Sequence, residues 1–232
     1  MRSFFLMLVF AFYSSFAFAQ YEDEFKEPGT MNVLEPTFKG INETVDINEF
    51  LRENLIYPKN AYKTGIEGTV VIKFEILPNG TLSDVLVVNS VCPEYDDAVI
   101  KAVKASSGMW TPGTKDGQAV TMEKEMAFVF KYEGSEMYKN AQLYAVKANK
   151  LLKEGKYKKS IKLYNKAIVL CPNCAFTFYH RGLARYNCGD QKGAILDLQR
   201  TADLGSHQAD SLLKVLHNEV ILAKETVKAN SQ

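Results

Sequence analysis

The chain has 232 residues, 47% hydrophobic and 24% charged, with a formal net charge of +1. That length holds one large or two small domains, each with its own core, and the apolar content excludes disorder. The balance of 28 Lys and Arg against 27 Asp and Glu, with no long run of one sign, argues against a nucleic-acid or anionic-membrane surface.

Met1-Arg2 opens onto an apolar run from Phe4 to Phe18 that ends Ala17-Phe18-Ala19 before Gln20. The small residues Ala17 and Ala19 suit a peptidase, and the run falls short of the ~20 residues of a membrane-spanning helix. Residues 1–19 therefore predict a cleaved secretory leader, with an uncleaved inner-membrane anchor through residues 4–18 as the alternative. No cysteine follows the cleavage site, which argues against a lipoprotein anchor. Residues 20–35, with Glu22, Asp23, Glu24 and Glu27 and no periodicity, predict a flexible acidic lead-in.

Asp46-x-x-Glu49 forms a capping box ahead of Phe50, Leu51 and Leu55, predicting a helix over Ile47–Asn54 that Tyr57-Pro58 ends. A second short turn of helix is expected from Pro58. Val70, Ile72, Phe74 and Ile76 then alternate with Val71, Lys73, Glu75 and Leu77, the period of a strand with one buried face. Asn79-Gly80 tolerates positive φ at both central turn positions, so Thr81 to Val91 should return as the second strand of a hairpin. From Pro93, the residues Tyr95, Ala98, Val99, Ala102 and Val103 give a helix up to Gly108 an apolar face that covers the hairpin.

Trp110-Thr111-Pro112-Gly113 and Asp116-Gly117 lead to a third strand, with Val120, Met122, Met126, Phe128, Phe130 and Tyr132 on one face and Lys124 interrupting. The intervening helix predicts that this strand lies antiparallel to the first and beside it, in the order two-one-three. Val120 to Lys131 is then an edge, and Thr121, Glu123, Glu125 and Lys131 on its solvent side guard it against aggregation.

Around Glu133-Gly134-Ser135 the period changes to that of helix, which places a domain boundary there. Beyond it Ala148 and Gly182, Gly155 and Gly189, Ser160 and Ala194, Tyr164 and Leu198, Ile168 and Ala202, and Leu170 and Leu204 are each 34 residues apart. Two copies fall short of the three a stack usually needs, so a helix from about Gln208 to Lys224 is expected to cap it.

The period of 34, with Gly155-Lys156-Tyr157, Ala167 and Pro172 in the first copy and Gly182-Leu183-Ala184, Gly189-Asp190 and Ala194 in the second, resembles the tetratricopeptide (TPR) repeat. Arg185 and Thr201 fit its pattern less well. The sheet region resembles the C-terminal domain of TonB, the periplasmic energy transducer. The resemblance runs through Pro36-x-Phe38-x-Gly40, Asn54-Leu55-x-Tyr57-Pro58, Gly65-x-x-Gly68-Thr69-Val70, Trp110-x-Pro112-Gly113 and Phe128-x-Phe130, and departs at Ile41, where the family often has a second glycine.

Together these imply an α+β chain: a small ββαβ TonB-like antiparallel sheet domain over residues 36–133, then an all-α domain of TPR-like helical hairpins over 137–228. By resemblance, an extended motif of an outer-membrane transporter pairs along the third strand. The residues implied are Val120, Thr121, Met122, Glu123, Glu125, Ala127, Val129 and Lys131. The repeats supply a second docking surface, with Asn149, Tyr179 and Tyr186 in its groove.

Candidate chemistry is sparse. Cys171-Pro172-Asn173-Cys174 falls in the turn between repeats and supplies two of the four ligands a zinc site needs. These cysteines, with Cys92 and Cys188, read as structural thiols; a local Cys171–Cys174 disulfide and redox or metal chemistry are the alternatives. His180, His207 and His217 have no acidic or serine partner at a recognisable spacing, and Asp96-Asp97 sit where they oppose a helix dipole. No catalytic, cofactor or metal set emerges, nor any small-molecule substrate. The expected protein is an exported, periplasmic or outer-membrane-associated interaction module. The alternative is a TonB-family component that transduces energy in outer-membrane transport. Against that stands the spacer: some sixteen residues from Gln20 to Pro36 reach ~55 Å when fully extended.

Overall fold

The computed structural model describes residues 4–7, 32–40, 46–58 and 65–216, which fall into two compact units, Met1–Ser135 and Glu136–Gln232. The expected turn of helix after Pro58 lies outside the described residues, as does most of the predicted leader.

In chain order the first unit holds β1 (Phe4–Met7), β2 (Val33–Leu34), β3 (Thr37–Phe38), α1 (Ile47–Asn54), β4 (Gly68–Ile76), β5 (Leu86–Asn89) and α2 (Pro93–Lys104). It continues with β6 (Trp110–Thr111), β7 (Gly113–Lys115), β8 (Gln118–Val120) and β9 (Met122–Tyr132). The main sheet runs β1-β9-β4-β5, every pair antiparallel. The predicted order of the hairpin strands and the third strand is therefore present, with β1 added outside. Two small sheets, β2-β7-β8 and β3-β6, complete the unit.

Val70, Ile72, Phe74 and Ile76 are buried beneath Leu51, Tyr95, Val99, Ala102 and Val103 of α1 and α2, with Trp110 and Phe128 in the same core. Trp110 meets Phe38 and Phe74 with ring centroids 5.3 and 6.0 Å apart, and its Nε1 donates to Ser106 Oγ at 3.0 Å. One expectation fails here: Val71, Thr69, Ala127 and Val129 are buried too, so this end of the sheet is covered on both faces.

Other local expectations change in detail. The capping box does not form, because Asp46 accepts a hydrogen bond from the Asn48 side chain and makes no cap bond to the backbone. In the hairpin only Gly80 takes a positive φ, +79°, while Asn79 Oδ1 accepts from the N–H and hydroxyl of Thr81. The returning strand pairs over Leu86–Asn89 alone, after a single bridge from Ile76 to Leu82. The helix α2 stops at Lys104, short of Gly108. Val33 and Leu34, expected in the lead-in, pair with Lys115 and Thr114. The predicted third strand breaks at Thr121: Val120 pairs with Gly113 in a hairpin turned by Asp116 and Gly117, and Met122 starts a new ladder opposite Ile76.

The second unit holds α3 (Met137–Lys153), α4 (Tyr157–Leu170), α5 (Ala175–Asn187) and α6 (Gln191–Asp203), followed by a 3-10 turn at His207–Ala209 and helix over residues 210–216. Gly155 and Gly189, at φ +71° and +87°, close α3 and α5 at corresponding points of the repeat. Where the helices cross, Ser160 Oγ donates to the Ala148 carbonyl at 2.8 Å, and Gly182 leaves room for Asp197 and Leu198. Ala209 and Leu216 bury against Ala194 and Leu198, so a helical cap covers the last repeat; its continuation to Lys224 lies outside the described residues.

Candidate docking surfaces

The outer edge of β9 is positioned by its inner one. Residues Gly68 to Ile76 of β4 pair with Phe130 back to Met122, and Glu67 Oε1 accepts the N–H of Tyr132 at 2.9 Å on that same side. Successive peptide groups of a strand point to opposite edges, so the N–H groups of Glu123, Glu125, Ala127, Val129 and Lys131 point outward. A stacked pair anchors the far end: the Tyr95 ring lies 4.0 Å from Phe130, and Tyr57 and Tyr95 share a hydrogen bond of 2.6 Å. Burial pushes the Tyr57 phenol up, and the bond to Tyr95 adds to the shift.

Along the other edge, β1 pairs from Met7↔Val129 to Phe4↔Tyr132. Among the described residues no strand covers that edge from Met122 to Phe128. Of the eight residues expected to bind a partner, Glu123, Glu125, Ala127, Val129 and Lys131 present their peptide groups here, and Met122 begins the strand. Val120 belongs to β8, and Thr121 is an exposed link. The side chains of Ala127 and Val129 are 8% and 3% exposed, so only their backbone is offered. Glu123 pairs with Lys73 at 2.7 Å, and Lys124 lies 5.5 Å from the Trp110 ring, where burial pulls its pKa down.

In the second unit a cleft of about 790 Å3 lies between α3 and the start of α5, with Tyr138, Ala145, Val146, Asn149, Cys171 and Phe176 among its walls. Of the three residues expected in a repeat groove, Asn149 lines this cleft. Tyr179 and Tyr186 pack against Ala194 and Leu198 on α6. Cys171 and Cys174 both line the cleft, and all four cysteines are free thiols. Cys171 caps the end of α4 and Cys174 the start of α5, and no disulfide joins them. Burial pushes the Cys171 thiol up, which disfavours the reactive thiolate. Among the described residues no group of His, Cys, Asp and Glu is arranged to hold a metal ion.

Sequence reading missed the polar centre of this unit. Asp197, 2% exposed, accepts from Arg181 Nε and Nη2 at 2.9 and 2.6 Å and from Arg185 Nη1 at 2.9 Å. Arg185 also donates to the Gly193 carbonyl, and Thr201 Oγ1 donates to the Asp197 carbonyl at 2.8 Å. Of the two residues that fitted the repeat pattern least, Arg185 therefore belongs to this ion cluster, and Thr201 bonds the backbone of the same turn.

Residues 53–132 match the family model of the Gram-negative bacterial TonB protein C-terminal, and residues 148–189 match that of the TPR repeat. Two solution structures of the Helicobacter pylori TonB C-terminal domain are similar to the chain. One has 24% identity and a TM-score of 0.32, covering 38% of this chain and 78% of that one. The other has 27% identity and a TM-score of 0.28, covering 35% and 86%. No curated protein gives a significant match. Both family matches indicate a role in protein–protein interaction.

Proposed function

We propose that this chain is an exported module of the cell envelope that captures an extended segment of a partner protein along the outer edge of β9, with the helical cleft as a second docking surface. The observation that supports it most is that this edge already takes a strand, Phe4–Met7, antiparallel over four residues. Those four residues lie in the stretch read as a leader. Its removal on export vacates Val129–Tyr132 for an extended segment of the partner. Backbone hydrogen bonds then supply affinity and flanking side chains supply choice. The charges of Glu123, Glu125 and Lys131 along this edge discourage indiscriminate pairing. The partner, by resemblance, is an outer-membrane transporter or another envelope protein.

The test compares Glu123→Pro with Glu123→Ala. Either change breaks the exposed ion pair with Lys73, worth at most about 1 kcal/mol, but only proline removes an outward donor. Photo-crosslinking from position 125 in cells should capture a partner with the alanine variant and lose it with the proline variant, both folded by circular dichroism. Equal capture by the two would sink edge pairing and leave the helical cleft as the leading surface.

A further inference from the structure

The hairpin of α3 and α4 carries a charge imbalance that the composition of the whole chain conceals. Between residues 136 and 170 stand nine lysines against Glu136 and Glu154, a net of +7, so the rest of the chain sums to −6. Glu136 pairs with Lys139 and Glu154 with Lys156, which occupies both acids. Among the described residues no carboxylate pairs with Lys147, Lys158, Lys159, Lys162 or Lys166, all exposed.

On α4, Lys158, Lys162 and Lys166 recur every four residues with Lys159 beside them, on the face opposite buried Ser160, Tyr164 and Ala167. Lys166 Nζ stands 5.6 Å from the Tyr144 ring, which brings this face alongside α3 one turn from Lys147 and next to Leu143, itself 47% exposed. The arrangement works against the fold. The cations repel one another, α4 has no acidic residue, and Lys158 and Lys159 in its first turn oppose the helix dipole while its last turn has no base. Local rules broken along a whole helix face, with only Lys166 given a ring to rest on, mark a surface kept for function.

We propose that the lysine face of the α3–α4 hairpin docks on an anionic lipid surface. Charge complementarity requires a partner of dense negative charge, and the kind of cation chooses among such partners. No arginine occurs between 136 and 170, whereas Arg181 and Arg185 are tied to Asp197. Nucleic-acid and phosphopeptide recognition draw on arginine forks. A row of lysines is a set of mobile point charges, suited to headgroups that rearrange laterally. Leu143 beside Lys147 adds an apolar side chain able to enter the headgroup layer while the lysine reaches back to the phosphates. The near-neutral composition argued against such a surface; the segregation of charge within the fold reverses that argument.

The test floats the full chain with vesicles of phosphatidylcholine alone or of equal parts phosphatidylcholine and phosphatidylglycerol, at low and high salt. Binding should require phosphatidylglycerol and weaken with salt. Lys158→Gln with Lys162→Gln should lower affinity about 30-fold, at about 1 kcal/mol per lysine near the surface. Lys192→Gln with Lys214→Gln, the same charge change elsewhere in the unit, should leave affinity within about threefold. Circular dichroism confirms that each variant is folded. No binding to anionic vesicles, equal binding to neutral ones, or equal loss in both double variants overturns the proposal. So does competition in which polyglutamate or duplex DNA displaces the chain from the vesicles at lower charge concentration, since that assigns the face to a protein or nucleic-acid partner.

Discussion

Gly80 and Gly117 hold nearly the same backbone conformation, φ +79° and +80°, in different surroundings. A Cβ on Gly117 meets nothing within 4 Å; one on Gly80 would stand 2.3 Å from the Trp110 carbonyl oxygen. Gly117→Ala should therefore cost about 1 kcal/mol, the conformational strain alone. Gly80→Ala should cost about 3 kcal/mol or more, because backbone must move as well. Urea unfolding measures the difference, and equal losses would remove the steric account. Asp197→Asn keeps the shape of the side chain and removes the buried charge that Arg181 and Arg185 share, so about 3 kcal/mol should be lost. Tyr164 offers a titration: its hydroxyl is buried and makes no hydrogen bond of normal geometry, and burial pushes the phenol up to about 12. A raised folded pKa gives stability that is intact below the unfolded value near 10 and lost as pH climbs toward about 12. Tyr164→Phe should flatten that alkaline decline and cost little at neutral pH, as measured by unfolding across the window.

Elements with a strong period and clear punctuation were legible in the sequence. α1, β4 and the buried face of α2 lie where alternation and helical spacing put them, and the 34-residue offset marked the second unit as helical repeats. What was not legible depends on partners distant in the chain. Alternation runs unbroken through Val120 and Met122, yet the ladder changes partner between them, from β7 to β4. β1 and β2 are too short to show a period. The place of β9 beside β4 could be inferred, since it follows from strand order, but β1 on its other side and the burial of Ala127 and Val129 could not, so β9 is not the edge strand that was expected. Tyr179 and Tyr186 have helical spacing, which does not say which face meets α6. Asp197 looked like an ordinary helix charge because its arginines sit on the preceding helix. At this scale the prediction concerns β1. A chain beginning at Gln20 should exchange the amides of Val129 and Lys131 faster than the full chain, with Phe128 and Phe130 unchanged because they bond inward to β4. Uniform exchange in the two chains would mean that β1 does not protect the edge.

At the scale of the molecule, each of the two units has its own buried cluster and its own weak points. Domains with separate cores respond separately to distant substitutions. Gly80→Ala should lower the transition of the first unit and leave the second in place, and Asp197→Asn should do the reverse; movement of both transitions by either change would show that they unfold as one. The chain carries the means to tell them apart. Its single tryptophan, Trp110, is 5% exposed in the core of the first unit, whereas the four longest helices among the described residues all lie in the second. Indole emission therefore follows the sheet and far-ultraviolet ellipticity mainly follows the repeats. One unlabelled sample, read at two wavelengths, separates the energetics of the two units.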